Sequence, residues 1–172
     1  IIIYVLFAVV TVILVTLAYA GISAAPWVPL WKKDVRRMLK IANVKPGEIV
    51  YDLGAGDGRI ILIAAKEFGA KAIGFEMAVL PYLLGYIKIM LSGLNGKIKL
   101  KYSNFFKKDF NEADVICTFL TPQAMKKLKP KFEAECKKGC RIVSFAFSVK
   151  DWQPTLVDRP NKKTTPIYLY QR

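Results

Sequence analysis

Residues 50–59 read VYDLGAGDGR. Val50, Tyr51 and Leu53 have the apolar, β-branched or aromatic character of a short buried strand, and RIILIAAKEFG at residues 59–69 is a helix pattern closed by Gly69. Gly54, Gly56 and Gly58 therefore fall in a strand-to-helix turn, with Asp52 before them and Asp57 among them. Glycines there admit tight φ/ψ and let a ligand lie directly on backbone. In α/β sheets, ligands bind beyond the carboxyl ends of the strands, where this loop stands.

Outward from the loop the alternation continues. AKAIGFEM is a second strand, and PYLLGYIKIMLSGL a second helix with Pro81 near its start. KIKLKYSNFF and DVICTFL follow as strands, PQAMKKLKPKFEAECKKG as a helix with an expected break near Pro130, and CRIVSFAF as a strand. This pattern predicts an α/β fold: a Rossmann-like, doubly wound, mostly parallel sheet with helices on both faces. WQPTLVD and TPIYLYQ, the last two strands, are too close in sequence for a helical crossover, so they should form a C-terminal antiparallel hairpin.

Upstream, residues 1–30 contain no Asp, Glu, Lys or Arg. A bilayer core of about 30 Å needs roughly 20 helical residues, and residues 1–20 supply that length with no polar face. The expectation is an N-terminal transmembrane helix, with Tyr19 and Trp27 at an interface. AYA at residues 18–20 has the pattern of a signal-peptidase site, so a cleaved signal is the alternative. Lys32, Lys33, Arg36 and Arg37 come next, which by the positive-inside tendency puts the remainder on the cytoplasmic or equivalent organellar side. They lie on an amphipathic helix whose apolar stripe reads Trp31, Val35, Met38, Leu39 and Ala42. Its basic face is solvated by default, or contacts an anionic membrane surface. The resulting division is residues 1–25 for the span, 26–45 for the PWVP stretch and basic helix, and 46–172 for one catalytic domain.

The 172 residues carry 27 Lys and Arg against 13 Asp and Glu, a formal charge of +14 that points to an anionic partner. There is no histidine, which excludes a histidine base, a Ser/His/Asp triad and a histidine-ligated metal. Cys117, Cys136 and Cys140 form no CxxC pair, so no disulfide framework or metal site is expected.

What the glycine loop binds follows from its spacing and charge. A phosphate-binding P-loop ends in Gly-Lys-Ser/Thr, absent here. A dinucleotide fingerprint spaces its glycines GxGxxG; here they run GxGxG, and Asp57 stands where a phosphate would be repelled. Carboxylates suit a cationic ligand, and S-adenosylmethionine carries a sulfonium and an ammonium. Glu76, closing the second strand, suits ribose hydroxyls, though a nicotinamide cofactor would want the same acid. Asn104 is placed to hydrogen-bond an adenine edge and Phe105 to stack on the ring.

Together YDLGAGDGR, GFEM and SNFF, in that order, resemble the motifs of class I S-adenosylmethionine-dependent methyltransferases from about Pro46 to the C-terminus. PWVP at residues 26–29 and SFAFSVKDWQP are similar to segments of the small membrane-anchored protein-lysine methyltransferases. That family includes the mitochondrial enzymes acting on the ATP synthase c-subunit and the adenine nucleotide translocase, together with prokaryotic relatives. The resemblance implies S-adenosyl-L-methionine as cofactor. Asp52 and Gly54 would hold its methionine end, Gly56 and Gly58 would give it room, with Ala55 and Met77 beside it, Glu76 would take the ribose, and Asn104 and Phe105 the adenine. Two departures are Asn104, where an Asp is common, and Pro81, which lies further beyond the ribose acid than usual.

Methyl transfer needs alignment more than acid–base groups, so the lack of histidine is compatible. No catalytic base is assigned. Trp27, Thr118, Thr121 and Ser144 are the expected acceptor contacts. A small core without an enclosing insertion suits a large substrate, and an anchor suits one at the membrane. The reading is therefore methylation of a lysine in a membrane-associated protein. The alternatives are a lipid or quinone acceptor, RNA against the basic surface (disfavoured by the anchor), and a non-catalytic cofactor-binding scaffold.

Overall fold

A computed structural model describes all residues, 1–172. It contains five α-helices, α1 (Ile2–Ser23), α2 (Lys32–Ile41), α3 (Arg59–Phe68), α4 (Val79–Ser92) and α5 (Pro122–Glu135). The seven strands are β1 (Ile49–Leu53), β2 (Lys71–Glu76), β3 (Ile98–Tyr102), β4 (Val115–Thr118), β5 (Arg141–Phe145), β6 (Leu156–Asp158) and β7 (Ile167–Gln171). All seven form one sheet in the order β3-β2-β1-β4-β5-β7-β6. β1 to β5 pair in parallel, whereas β7 runs antiparallel to both β5 and β6. This is the Rossmann-like sheet the alternation predicts, hairpin included.

The hairpin carries one feature the sequence does not announce. β7 inserts between β5 and β6, leaving β6 at the edge. Burial explains the order: Ile167 and Tyr170 of β7 are buried, while Leu156 and Val157 of β6 remain exposed.

Period-two alternation distributes the strands between two cores. Val50, Ala72, Val115, Cys117 and Val143 point to the face covered by α2 and α3. Tyr51, Leu53, Phe75, Ile116 and Ile142 point to the face covered by α5. On α5, Ala124, Met125, Leu128 and Phe132 are buried, and the helix runs unbroken through Pro130. The expected break is absent because Pro130 is on the exposed side, where the carbonyl that loses its amide partner can meet water, and the buried side carries the packing.

On α2, Val35, Met38 and Leu39 are fully buried, as the stripe predicts, but Trp31 is 76% exposed. Trp31 caps the helix at its N-terminal end and so lies off the buried stripe. Two of the four expected surface cations are engaged within the protein: Arg36 Nε lies 2.7 Å from Glu67, and Arg37 grips the carboxylate and carbonyl of Asp158.

α1 is long and apolar enough to cross a membrane, and none of it is fully buried. One stripe nevertheless meets the domain. Ile13, Thr16, Leu17 and Ala20, at helical spacing, are half-buried, and the Thr16 hydroxyl accepts from the Val79 amide at 3.3 Å where α4 begins.

Candidate active site

The chain reverses its strand order between β1 and β4, and the glycine loop emerges there. Gly54 N–H and Ala55 N–H donate to the Phe75 carbonyl at 3.0 and 2.9 Å, tying the loop to the end of β2. Glu76, the last residue of β2, completes the tie. Its Oε2 accepts from Gly56 N–H at 2.7 Å, and its Oε1 from Met77 and Ala78 N–H at 2.8 and 2.7 Å. A carboxylate has about four acceptor positions. Three are in use, so Glu76 retains capacity for one further donor in this geometry.

Asp52 is 2% exposed, and its Oδ2 has no hydrogen-bond partner. Burial, then the charges of Glu76 and Asp57, push its carboxyl well above the usual carboxylate range. Asp57 behaves in the opposite way. Burial alone would raise it, but hydrogen bonds and charge from Arg59 and Lys88 prevail and hold it at about 2. Arg59 meets it in a fork, at 2.8 and 2.7 Å. The sequence groups Asp57 with the carboxylates that await a cationic ligand. Its charge is instead matched by neighbouring cations, and Asp52 is the loop's unmatched acid.

A strap, residues 24–30, closes over the loop. Thr121 N–H and Thr121 Oγ1 donate to the Ala24 carbonyl at 3.1 and 2.7 Å, pinning one end. Arg59 Nη1 donates to the Leu30 carbonyl, pinning the other. Between them the Trp27 indole lies on Gly56, where a Cβ would come within 2.9 Å of Nε1. Gly56 has φ +54°, so both conformation and space call for glycine there. The Trp27 indole N–H is buried and unpartnered.

Strap, loop and strand ends border a single cleft. Trp27, Asp52, Gly54, Ala55, Gly56 and Glu76 line it, as do Met77 and Phe105. Gly58 and Asn104 lie outside the lining. Gly58 is the left-handed residue from which α3 starts. Asn104 Oδ1 accepts from Phe106 N–H at 2.9 Å, capping the short 3-10 turn that carries Phe105.

Three of the four expected acceptor contacts are not brought to the cleft. The Thr118 hydroxyl is fully buried and directed at the Val143 carbonyl, Thr121 holds the strap, and the Ser144 hydroxyl donates to the Phe147 carbonyl at 2.6 Å. Sequence reasoning missed the clamp made by Arg59 and the contribution of Leu17 and Ala20 from α1 to the cleft wall. Neither carries a local signal, since both depend on the strap folding back over the loop.

The cleft fits a nucleoside bearing an ammonium. It offers an unpaired buried acid, a second carboxylate at the adjacent strand end, backbone bared by glycine, and an aromatic wall.

Comparisons with known proteins agree. The profile of the ANTKMT methyltransferase domain matches residues 52–156. A protein-lysine N-methyltransferase from Saccharolobus islandicus (strain REY15A) is 43% identical over 149 residues, covering 84% of this chain and 92% of that one. The lysine N-methyltransferase of Mus musculus that is named for the ATP synthase c-subunit is 34% identical over 131 residues, covering 75% of this chain but only 51% of the mouse protein. Among solved structures, an RNA methyltransferase from Salinibacter ruber bound to S-adenosyl-L-homocysteine superposes with a TM-score of 0.80 at 29% identity, over 84% of this chain and 93% of that one.

Proposed function

The chain belongs to the ANTKMT methyltransferase family, and on that premise we propose that it uses S-adenosylmethionine to methylate a lysine of a membrane-associated protein. The observation that carries the reading is the buried, unpartnered Asp52 oxygen in a cleft whose floor is the glycine loop. An isolated buried carboxylate is costly, and a ligand ammonium beside it removes the cost.

When bound there, the cofactor supplies an electrophilic methyl carbon on a sulfonium sulfur. The residues around it bind, orient and exclude water. Asp52 accepts from the ammonium, Glu76 offers its remaining acceptor position to a ribose hydroxyl, and Phe105 packs against the adenine. Gly54, Ala55 and Met77 line the ligand's side of the cleft, while the space bared at Gly56 admits the Trp27 indole. Gly58 acts at one remove by shaping the loop. Asn104 does so by holding the Phe105 turn, and its amide remains an adenine contact. A lysine acceptor must arrive without its proton. Val28, Phe119 and Leu120 of the cleft lining give an amine apolar surroundings, which lower its pKa by desolvating its charged form. Trp27 is the acceptor contact we favour, because the hydroxyls of Thr118, Thr121 and Ser144 serve main-chain carbonyls.

Relatives named for the ATP synthase c-subunit and for adenine nucleotide translocase support a membrane-protein acceptor. α1 as a single span supports the same location. The cations that follow it support a catalytic domain on the cytoplasmic or equivalent organellar side, with Lys32, Lys33 and Lys40 of α2 exposed toward anionic headgroups. One observation favours a second reading, RNA as acceptor: the charge of +14 combined with the likeness to a solved RNA methyltransferase.

Both are tested by incubating the detergent-purified chain and radiolabelled S-adenosylmethionine with membranes. Label that is lost to protease, survives ribonuclease and maps to methyl-lysine upholds the first reading. Label lost to ribonuclease upholds the second. Failure of the unsubstituted chain to bind the cofactor in calorimetry overturns both, whereas binding that is lost only on Glu76→Ala supports the cleft assignment.

A further inference from the structure

α4 turns its hydrophobic side the wrong way for a helix facing water. Leu83, Leu84, Tyr86, Ile87, Met90 and Leu91 are exposed, from 37% at Leu84 to 83% at Leu91. At 3.6 residues per turn these six positions fill one continuous arc of about 160°. No charged residue falls inside it. Lys88, at its margin, is drawn back to Asp57. The inward side of α4 is built for close packing: a Cβ on Gly85 would meet the Asp57 backbone at 3.0 Å, and Pro81 and Ile89 are buried. The helix is thus seated firmly behind the glycine loop with a large apolar face left outside. A patch of that kind on a soluble surface marks a contact.

Three further observations identify what covers it. First, the face continues onto α1. The half-buried stripe of α1 packs at the start of α4, while Leu14, Val15, Tyr19 and Ile22 beside it stay exposed. The C-terminal half of α1 therefore lies side-on to the domain, and whatever medium surrounds it also reaches α4. Second, α1 brings no charge to this junction, since residues 1–31 contain none. Third, aromatic side chains with polar tips flank the patch. Tyr82 stacks on Tyr86 at 6.2 Å and meets Tyr102 edge-on at 5.3 Å, the type of residue enriched where hydrocarbon gives way to water.

We infer that α4 is a second membrane contact: an in-plane helix that sinks the Leu83–Leu91 face into the acyl–headgroup boundary of the bilayer that α1 crosses. This rests on the reading of α1 as a span and deepens it. The domain is held by two elements in a fixed orientation, not tethered by one. Leu17 and Ala20 of α1, with Met77 and Ala78 just before α4, line the cofactor cleft. The cleft therefore opens at the level of the membrane surface. The acceptor this geometry admits presents its lysine at that surface, on a protein already in the bilayer.

The test uses the full chain in nanodiscs of phosphatidylcholine and phosphatidylglycerol, with a nitroxide at Ile87→Cys or Leu91→Cys. Glu133→Cys on α5 serves as the water reference and Val9→Cys as the α1 reference. The native cysteines are all buried, so the engineered site takes the label. Labels at 87 and 91 should collide with oxygen and be shielded from a water-soluble nickel complex, the reverse of 133. If 87 and 91 behave like 133 while 9 lies in lipid, the docking of α4 is overturned and the anchor stands. If 9 is also in water, both fall. If 9 alone is in water, α4 touches the membrane without a span beside it, and the two-element attachment is overturned. Shielding of 87 and 91 from both reagents would mean that protein covers the face, and overturns the membrane assignment.

Discussion

Asp52 has a buried oxygen that no group in the protein satisfies, and its carboxyl is pushed upward chiefly by burial. A raised acid holds its proton in the folded state at pH values where the unfolded chain has lost it. Its contribution to stability therefore falls as pH rises from the unfolded value through the folded one. A cationic ligand reverses the preference, so cofactor binding should release a proton at pH values above the ordinary carboxylate range and tighten as pH rises. Calorimetry in buffers of different ionisation enthalpy checks this. Asp52→Asn should abolish the proton release and weaken binding by about 1.5–3 kcal/mol, the range for a hydrogen bond to a charged group, while leaving the fold intact. At Asp57 the sign is opposite. Its stabilisation is present above the ordinary carboxylate value and lost as pH falls through about 2.

At the scale of elements, the strap over the loop depends on two anchors, Thr121 at Ala24 and Arg59 at Leu30. Arg59 also carries the fork to Asp57, so one side chain joins strap, loop and the first turn of α3. Arg59→Ala should cost about 1–3 kcal/mol in thermal or urea unfolding, because it strands a largely buried carboxylate with only Lys88. It should also expose residues 24–30 to limited proteolysis, in a manner that cofactor suppresses. Unchanged proteolysis would mean that the Thr121 anchor alone holds the strap. The elements themselves are local matters. The α2 stripe, the strand alternation and the Gly69 stop are legible because each is set by neighbours within one or two turns. Pro130 is the instructive exception: its propensity argues for a break, and four buried neighbours override it.

At the scale of the molecule, a charge of +14 and an apolar helix act on the same partner over different ranges. The electrostatic part is screened, with a Debye length of about 10 Å at 0.1 M salt and about 3 Å at 1 M, whereas apolar insertion is not. Methylation of an acceptor in anionic vesicles should therefore fall over that salt range, and fall less in neutral vesicles. Cofactor affinity, governed by the buried Asp52, should barely move. Salt-independent turnover on anionic vesicles would assign membrane attachment to α1 and α4 alone.

The α/β class and the glycine loop at a strand end were legible in local periodicity, and the resemblance of short, closely spaced motifs implied the S-adenosylmethionine cofactor and the methyltransferase family. The motifs also marked Asp52, Asp57 and Glu76 as the acids of interest, without separating Asp57 from the other two. Folding set the rest: Asp57 is matched by Arg59 and Lys88, Trp27 lies on Gly56, the hydroxyls of Thr118, Thr121 and Ser144 are consumed internally, and β7 separates β5 from β6. Each of these depends on which partner a side chain or strand meets when the chain folds back on itself. A lone carboxylate and a paired one read the same in sequence; burial and the distance to the nearest cation make them opposites.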